Sequence, residues 1–168
     1  MALEIKLAYD DTENVTLLFE EYVDLLVDLE PVFRHYLDLQ EFQYECQELQ
    51  EKYGLPGGRL YIAYWKRQVA GCIALKQIDE ATCEMKRLYV RPQFGGKKIG
   101  ESLVKTILND AAEIGYQSMV LDTFPSLDKA IHLYEKLGFY RIPPYSNSPV
   151  PDTVYMKFDL AGHPKFTL

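Results

Sequence analysis

The stretch Cys83–Val104, CEMKRLYVRPQFGGKKIGESLV, decides how this chain folds. Its first part, Met85 to Val90, alternates apolar and basic residues, with Met85, Leu88 and Val90 as the aliphatic members. That is the pattern of a half-buried strand. Pro92 ends it, because proline has no N–H for a ladder and restricts Arg91 before it. From Ile99 the period changes. Ile99, Leu103, Ile107, Ala111 and Ile114 recur every three or four residues and make one stripe of a helix. Between the two stands Gly95-Gly96-Lys97-Lys98-Ile99-Gly100. Glycines let the backbone take positive φ and approach a ligand closely. A helix start offers unpaired N–H groups at the positive end of its dipole, and two lysines add charge at the same place. Strand, loop and helix together describe a phosphate cradle.

Several ligands compete for it. A P-loop, G-x-x-x-x-G-K-[ST], nearly fits Gly95 to Ser102, but Glu101 holds the position of the obligatory lysine and would repel the phosphates. A dinucleotide fingerprint, G-x-G-x-x-G, is absent. An ordinary strand-to-helix turn with solvated lysines is the plain alternative.

The same segment resembles motif A of the GNAT superfamily of N-acetyltransferases, a strand ending L-x-V, a proline, then Q/R-x-x-G-x-G/A opening a helix. Leu88-Tyr89-Val90, Pro92 and Gly95 to Gly100 supply those parts. Two positions depart from the pattern: Gly95 replaces Gln or Arg, and Lys98 replaces the first motif glycine. Downstream, Ala130-Ile131-His132-Leu133-Tyr134-Glu135-Lys136-Leu137-Gly138-Phe139 resembles the superfamily motif A-x-x-L-Y-x-x-x-G-F, with Leu127 where asparagine often stands. The resemblance covers residues 60 to 160. It implies an α/β chain with the GNAT fold, a mixed, mostly antiparallel sheet of about seven strands flanked by about four helices. The expected unit is a single N-acetyltransferase domain over residues 1–168.

The totals agree with that size. A chain of 168 residues is large enough to bury about two thirds of its unfolded surface. No apolar run approaches the ~20 residues that span a bilayer. The opening MALEIKLAYDD lacks the basic-then-apolar layout of a signal peptide. Cys46, Cys72 and Cys83 have no metal-ligand spacing, and an odd count fits free thiols in a reducing cytoplasm, so no metal is expected. Charge is unevenly spread. Residues 1–53 carry 14 acids and 3 bases, net −11, whereas 54–168 carry 11 acids and 15 bases, net +4. The acidic part speaks against nucleic acid and is compatible with drawing in a cationic amine, although solvated helix faces explain it as simply.

Taken in order, Leu3 to Tyr9 reads as a strand. A helix capped from Asp10-Asp11-Thr12 follows, with Val15, Leu18, Phe19, Tyr22, Val23, Leu26 and Leu29 as its stripe, ending at Pro31. A second helix is expected over Val32 to Lys52. Arg59–Trp65 and Val69–Ile78 form a hairpin leading through a turn into the central strand. Met119–Thr123 is a short buried strand, Ser126 is the expected N-cap of the next helix, and Phe139–Ile142 and Thr153–Leu160 complete the sheet. In GNAT folds the first two helices flank the acceptor, which makes Glu21, Asp24, Arg34, His35 and Tyr36 candidate contacts. Tyr145 and Asn147, in the Pro143–Pro151 loop, are expected to border the same site.

The resemblance further implies acetyl-CoA as cosubstrate. Its pantetheine arm would lie between splayed strands, along Leu88, Tyr89 and Val90, and its pyrophosphate on the loop and helix start formed by Gly95, Gly96, Lys97, Lys98, Ile99, Gly100, Glu101 and Ser102. Acetyl transfer requires the acceptor amine to lose its proton, the oxyanion to be stabilised and the thiolate to be protonated. Tyr134 matches the motif tyrosine near the sulfur and is the expected acid, although it also belongs to an apolar stripe with Ala130, Ile131 and Leu137. Glu84 is the candidate base: six residues before Val90, strict alternation puts it on the same face as Leu88 and Val90. A backbone N–H near Val90 would meet the oxyanion. The acceptor is a small-molecule or peptide amine, and a homodimer fits the superfamily. An inactive acyl-CoA-binding module and a nucleotide-binding α/β protein remain as rival readings.

Overall fold

The computed structural model describes residues 2–168. Seven strands form one sheet: β1 (Leu3–Leu7), β2 (Arg59–Trp65), β3 (Gln68–Gln77), β4 (Thr82–Val90), β5 (Ser118–Thr123), β6 (Tyr140–Arg141) and β7 (Val154–Asp159). Their spatial order is β1-β2-β3-β4-β5-β7-β6, and every neighbouring pair is antiparallel except β4–β5. Five α-helices cover it: α1 (Thr12–Leu29), α2 (Leu39–Gln47), α3 (Leu49–Tyr53), α4 (Ile99–Ile114) and α5 (Asp128–Leu137).

The pleat divides the apolar residues between two layers. On one face Val15, Leu18 and Phe19 of α1 pack with Leu60, Ile62, Cys72, Ala74 and Tyr89 of the sheet. On the other, Ile99, Leu103 and Ile107 of α4 and Ile131, Tyr134 and Leu137 of α5 pack with Ile73, Leu75, Met85, Met119 and Leu121. The stripe expected for α1 is buried except at Tyr22, which is half-buried, and at its end, where Leu29 is exposed and Val27 is buried instead. The β2–β3 hairpin turns on Lys66 (φ 48°) and Arg67 (φ 68°), a two-residue turn whose twist matches the strands although neither residue is the usual Asn or Gly.

Three local expectations need correction. The segment after Pro31 is not one helix but a 3₁₀ turn (Pro31–His35), α2 and α3. The Asp38 carboxylate accepts from the Glu41 amide at 3.0 Å, and this cap starts α2 afresh. Asp11 occupies the N-cap of α1 but makes no side-chain cap; its carboxylate accepts from Asn14 and the Tyr64 hydroxyl. Nor does Ser126 cap α5, because its hydroxyl donates to Glu30 at 3.2 Å and the helix starts from Leu127.

The decisive irregularity lies in β4. Its register against β3 shifts between Cys72 and Ala74, and the extra residue, Arg87, has φ 61°. A bulge of this kind reverses the alternation beyond it. Cys83 and Met85 before the bulge, and Leu88 and Val90 after it, therefore all face α4 and α5. Glu84 and Lys86 point to the α1 side. The expectation that Glu84 shares a face with Leu88 and Val90 is thus overturned by one inserted residue.

Glu45 of α2 holds the bulge. Its carboxylate accepts from Arg87 Nε at 2.9 Å and Nη2 at 3.0 Å, from Lys52 Nζ at 2.7 Å and from the Tyr53 hydroxyl at 3.1 Å. Burial raises the pKa of such a group, but Arg87 and Lys52 more than offset this and bring it down to about 2. A carboxylate lowered in the folded state stabilises the fold fully above the unfolded value of ~4.3. That contribution disappears as pH falls through the folded pKa of about 2. Glu45→Gln should cost on the order of 3 kcal/mol at pH 7, because it leaves the half-buried Arg87 without its counter-charge. In thermal melts it should lower Tm by roughly 6–12 °C at pH 7, with the gap to the parent narrowing toward pH 2.

Candidate active site

β4 and β5 are paired only at their first residues, Thr82–Glu84 against Ser118–Val120. Beyond Glu84 the strands diverge, and a slot opens through the sheet. Two cavities meet there. One, about 580 Å³, follows Leu88, Tyr89 and Val90 past Gly100 to Leu133. The other, about 280 Å³, lies among Phe33, Lys86, Arg87, Asp122 and the loop Ser146–Pro149. Tyr22, Leu88, Leu127 and Tyr134 line both. A larger cavity of about 990 Å³ lies away from the slot, between α2, α3 and the β3–β4 turn, with Glu41, Glu45, Glu48, Glu51, Asp79 and Glu80 among its lining residues.

The glycine–lysine loop leads into α4. Lys98 is its N-cap residue with φ 59° and ψ 26°, so it adopts the left-handed conformation in which glycine is at ease. Gly96 also has positive φ, 78°. The first helical bond runs from the Ser102 amide to the Lys98 carbonyl at 3.1 Å, and the Gly95 amide donates to Pro92. The Ser102 and Gly95 amides are therefore already engaged. Those of Ile99, Gly100 and Glu101 form the open helix start. Glu101 is neutralised by Lys136 at 2.6 Å and Lys105 at 3.9 Å, and the Lys136 hydrogen bond lowers its pKa. Lys97 lies over the Trp65 ring at 5.1 Å. The loop thus keeps net positive charge despite the acid in its helix.

Tyr134 comes from α5, reaches the slot from the α4 side and is 4 % exposed. Its hydroxyl has no hydrogen-bond partner among the described residues, and no buried polar side-chain atom there is left unpaired, so this oxygen opens into the cavities. Burial raises its pKa well above the ordinary phenol value, so Tyr134 carries its proton at neutral pH. Tyr22 from α1 faces it across the slot and is likewise raised by burial, to about 12.

On the α1 side the charged residues gather. The Tyr145 hydroxyl donates to Glu84 Oε2 at 2.6 Å, while Lys86 Nζ lies 3.9 Å from Glu84 Oε1. Asp122, which the sequence reading passed over, faces the same way, because Leu121 and Thr123 flank it on a strand whose Met119 and Leu121 point to α4. It lines the smaller cavity, whereas Glu84 stands behind Lys86 and Tyr145. Crowding by protein raises the Asp122 carboxyl above its usual range even though it keeps water contact, with Lys86 opposing and Glu84 reinforcing the shift. The available signal was one acid inside the apolar run MVLDT, next to the point of divergence.

The other candidates divide. Asn147 lines the smaller cavity, whereas Tyr145 does not and instead donates to Glu84 behind it. Glu21 instead binds Arg91 at 2.7 Å and Tyr89 at 3.2 Å, tying α1 to the end of β4. Tyr36 is 62 % exposed, and Phe33 is the residue of the 3₁₀ turn that enters the cavity. Cys46, Cys72 and Cys83 are free thiols, no cluster of metal-ligating side chains occurs among the described residues, and no described helix is long and apolar enough to cross a membrane.

The family model described as acetyltransferase (GNAT) family matches residues 21–139. The chain belongs to that family. An uncharacterized N-acetyltransferase of Schizosaccharomyces pombe is 37 % identical over 153 residues, covering 90 % of each chain. An acetyltransferase of Streptococcus agalactiae has the same fold, with TM-score 0.75 at 22 % identity over 95 % of this chain and 99 % of that one. A putative acetyltransferase of Salmonella typhimurium, solved with its cofactor acetyl-CoA, aligns with TM-score 0.65 and 19 % identity over 97 % and 96 %. The seven-stranded sheet and the two expected motifs are thus those of a GNAT protein.

Two loop substitutions separate fold from ligand binding. A Cβ at Gly100 would stand 3.7 Å from Leu133 and 3.8 Å from Val90, ordinary contacts for the fold but inside the cavity of about 580 Å³ in the slot. Gly100→Ala should leave Tm unchanged within about 2 °C and weaken acetyl-CoA binding in calorimetry. Lys98→Gly should raise stability by about 1 kcal/mol by relieving the left-handed residue, while losing affinity because one cation is gone.

Proposed function

We propose that this protein transfers an acetyl group from acetyl-CoA to a primary amine by direct attack in a ternary complex. The observation that carries the reading is the unpartnered Tyr134 hydroxyl at the meeting of the two cavities. Family membership supplies the reaction class, and the donor is suggested by the related fold solved with acetyl-CoA. In this reading the pyrophosphate rests on the open amides of α4 and the loop lysines, and the pantetheine arm follows Leu88 to Val90. No covalent enzyme intermediate is needed, because donor and acceptor reach the slot from opposite faces of the sheet.

The proton balance follows from the same division. The acceptor ammonium gives one proton to Asp122 on the α1 side, and Glu84, behind it, extends the path toward solvent. The free amine forms the C–N bond with the thioester carbonyl carbon, and a backbone N–H near Val90 meets the oxyanion. As the C–S bond breaks, Tyr134 on the α4 side protonates the sulfur, and the second proton from nitrogen restores the phenol. The net products are the amide, CoA thiol and one proton. We place this chemistry in the cytoplasm, whose reducing conditions suit three free thiols.

Tyr134→Phe should lower kcat by about 100-fold or more with little change in the KM for acetyl-CoA, the signature of lost acid catalysis. Acetyl-CoA that binds without CoA release from any amine, in the parent protein, would refute the catalytic reading. Because the Asp122 pKa is raised, the acid limb of kcat/KM should lie above the ordinary aspartate range. Asp122→Asn should abolish that limb, and Glu84→Gln should only shift it. A larger loss in Glu84→Gln would reverse the two assignments.

A further inference from the structure

Lys86 and Asp122 face one another across the slot without closing on each other. Their positions follow from the register: Glu84 pairs with Val120, and Lys86 and Asp122 lie two residues further along the same face of each strand. Both line the smaller cavity. The only carboxylate within ion-pair reach of Lys86 among the described residues is Glu84, and at 3.9 Å that contact is loose. The other Glu84 oxygen accepts from Tyr145 at 2.6 Å. Asp122 accepts no hydrogen bond from the described side chains, and only charges at longer range act on it.

Arg87, the other cation on this wall, is unavailable. Its Nε and Nη2 are held by Glu45, and its guanidinium lies over the Phe19 and Phe42 rings at 5.6 Å. The cavity therefore presents one free cation and one free anion on opposite walls of a narrow opening. Lys86 is half-buried and Asp122 lies exposed at the cavity rim, neither with a close counter-charge, and a ligand carrying both complementary charges would satisfy the two together.

We propose that the acceptor is a free α-amino acid, with its carboxylate bound by Lys86 and its ammonium by Asp122. This rests on the acetyl-transfer reading and adds the acceptor class to it. A volume of about 280 Å³ lies just below the ~300–1,000 Å³ usual for small-molecule sites, which suits a single amino acid. The ammonium and carboxylate of an α-amino acid are separated by one carbon, so both can be met only where opposite charges stand close together. A protein lysine has no carboxylate beside its ε-amine, and a peptide N-terminus has an amide there. Ser146, Asn147 and Ser148 line the rest of the wall and would contact the side chain. Burial lowers the Lys86 pKa, with Glu84 partly opposing it, and a bound carboxylate would restore the charged form.

The test is acetyl-CoA-dependent thiol release by the full chain with the twenty amino acids, their carboxamides, the matching decarboxylated amines and short peptides. Acetyl-CoA binding is measured separately by calorimetry. The accepted amino acid should exceed its carboxamide by about 10-fold or more in kcat/KM, the range of one charged hydrogen-bonded contact. Lys86→Met should remove that preference by raising KM for the amino acid while sparing the carboxamide, and Lys86→Arg should restore part of it. Circular dichroism on both variants separates misfolding from lost recognition. Equal use of carboxamide or amine, a uniform loss for every acceptor in folded Lys86→Met, or turnover confined to peptides would overturn the assignment and leave acetyl transfer standing. Failure to bind acetyl-CoA would instead sink the underlying reading, and this inference with it.

Discussion

Arg87 sits in the middle of β4 at φ 61°, a conformation that costs an L-residue about 1–2 kcal/mol, and the Glu45 carboxylate keeps it there through two hydrogen bonds. Everything specific to the site depends on that clamp. The inserted residue bends β4 away from β5 after only three paired positions, so the sheet acquires a slot instead of a continuous ladder. It also reverses the alternation, turning Leu88 and Val90 toward α4 and α5 and leaving Lys86 on the α1 side. Tyr53 and Lys52, which share the carboxylate, fasten α2 and α3 to the same point. A helix segment of loose apolar pattern is thereby fixed by charge more than by packing, since Glu45 is the only buried residue of α2.

A slot through a sheet separates chemical roles by geometry. Tyr134 approaches from one apolar layer and Asp122 from the opposite face. Tyr134 is buried and Asp122 is exposed at the rim of the cavity, yet crowding by protein raises both pKa values. The consequences differ because the charged forms differ. Burial keeps the phenol protonated and suited to donate, while the same effect makes the carboxylate a stronger base than an exposed aspartate. In the proposed mechanism acid and base are thus distinguished by chemical type and by face, with no need for contact between them.

The glycine–lysine loop was largely legible in the sequence. Its glycines, lysines and following helical stripe announce a turn into a helix start, and the structure has that form. The motif departure at Lys98 is accommodated because lysine takes the left-handed conformation itself. The Glu101 problem, which told against a P-loop, is resolved by Lys136, a residue of α5 far along the chain. Spacing within one segment could not reveal that partner. Glu84 illustrates the opposite failure. Strict period two gave it the face of Leu88 and Val90, and a bulge invisible in the letter pattern moved it to the other side.

The sequence alone determined the element types and the family. Apolar periods of two and of three to four, the prolines and glycines that punctuate them, and two short motifs are properties of neighbouring residues, set by backbone sterics and local burial. Tertiary structure alone decided which charged groups share the site. The Arg87 bulge, the divergence of β4 from β5 and the facing of Lys86 by Asp122 join residues many positions apart. Their energies depend on the partners and dielectric that only the folded chain provides.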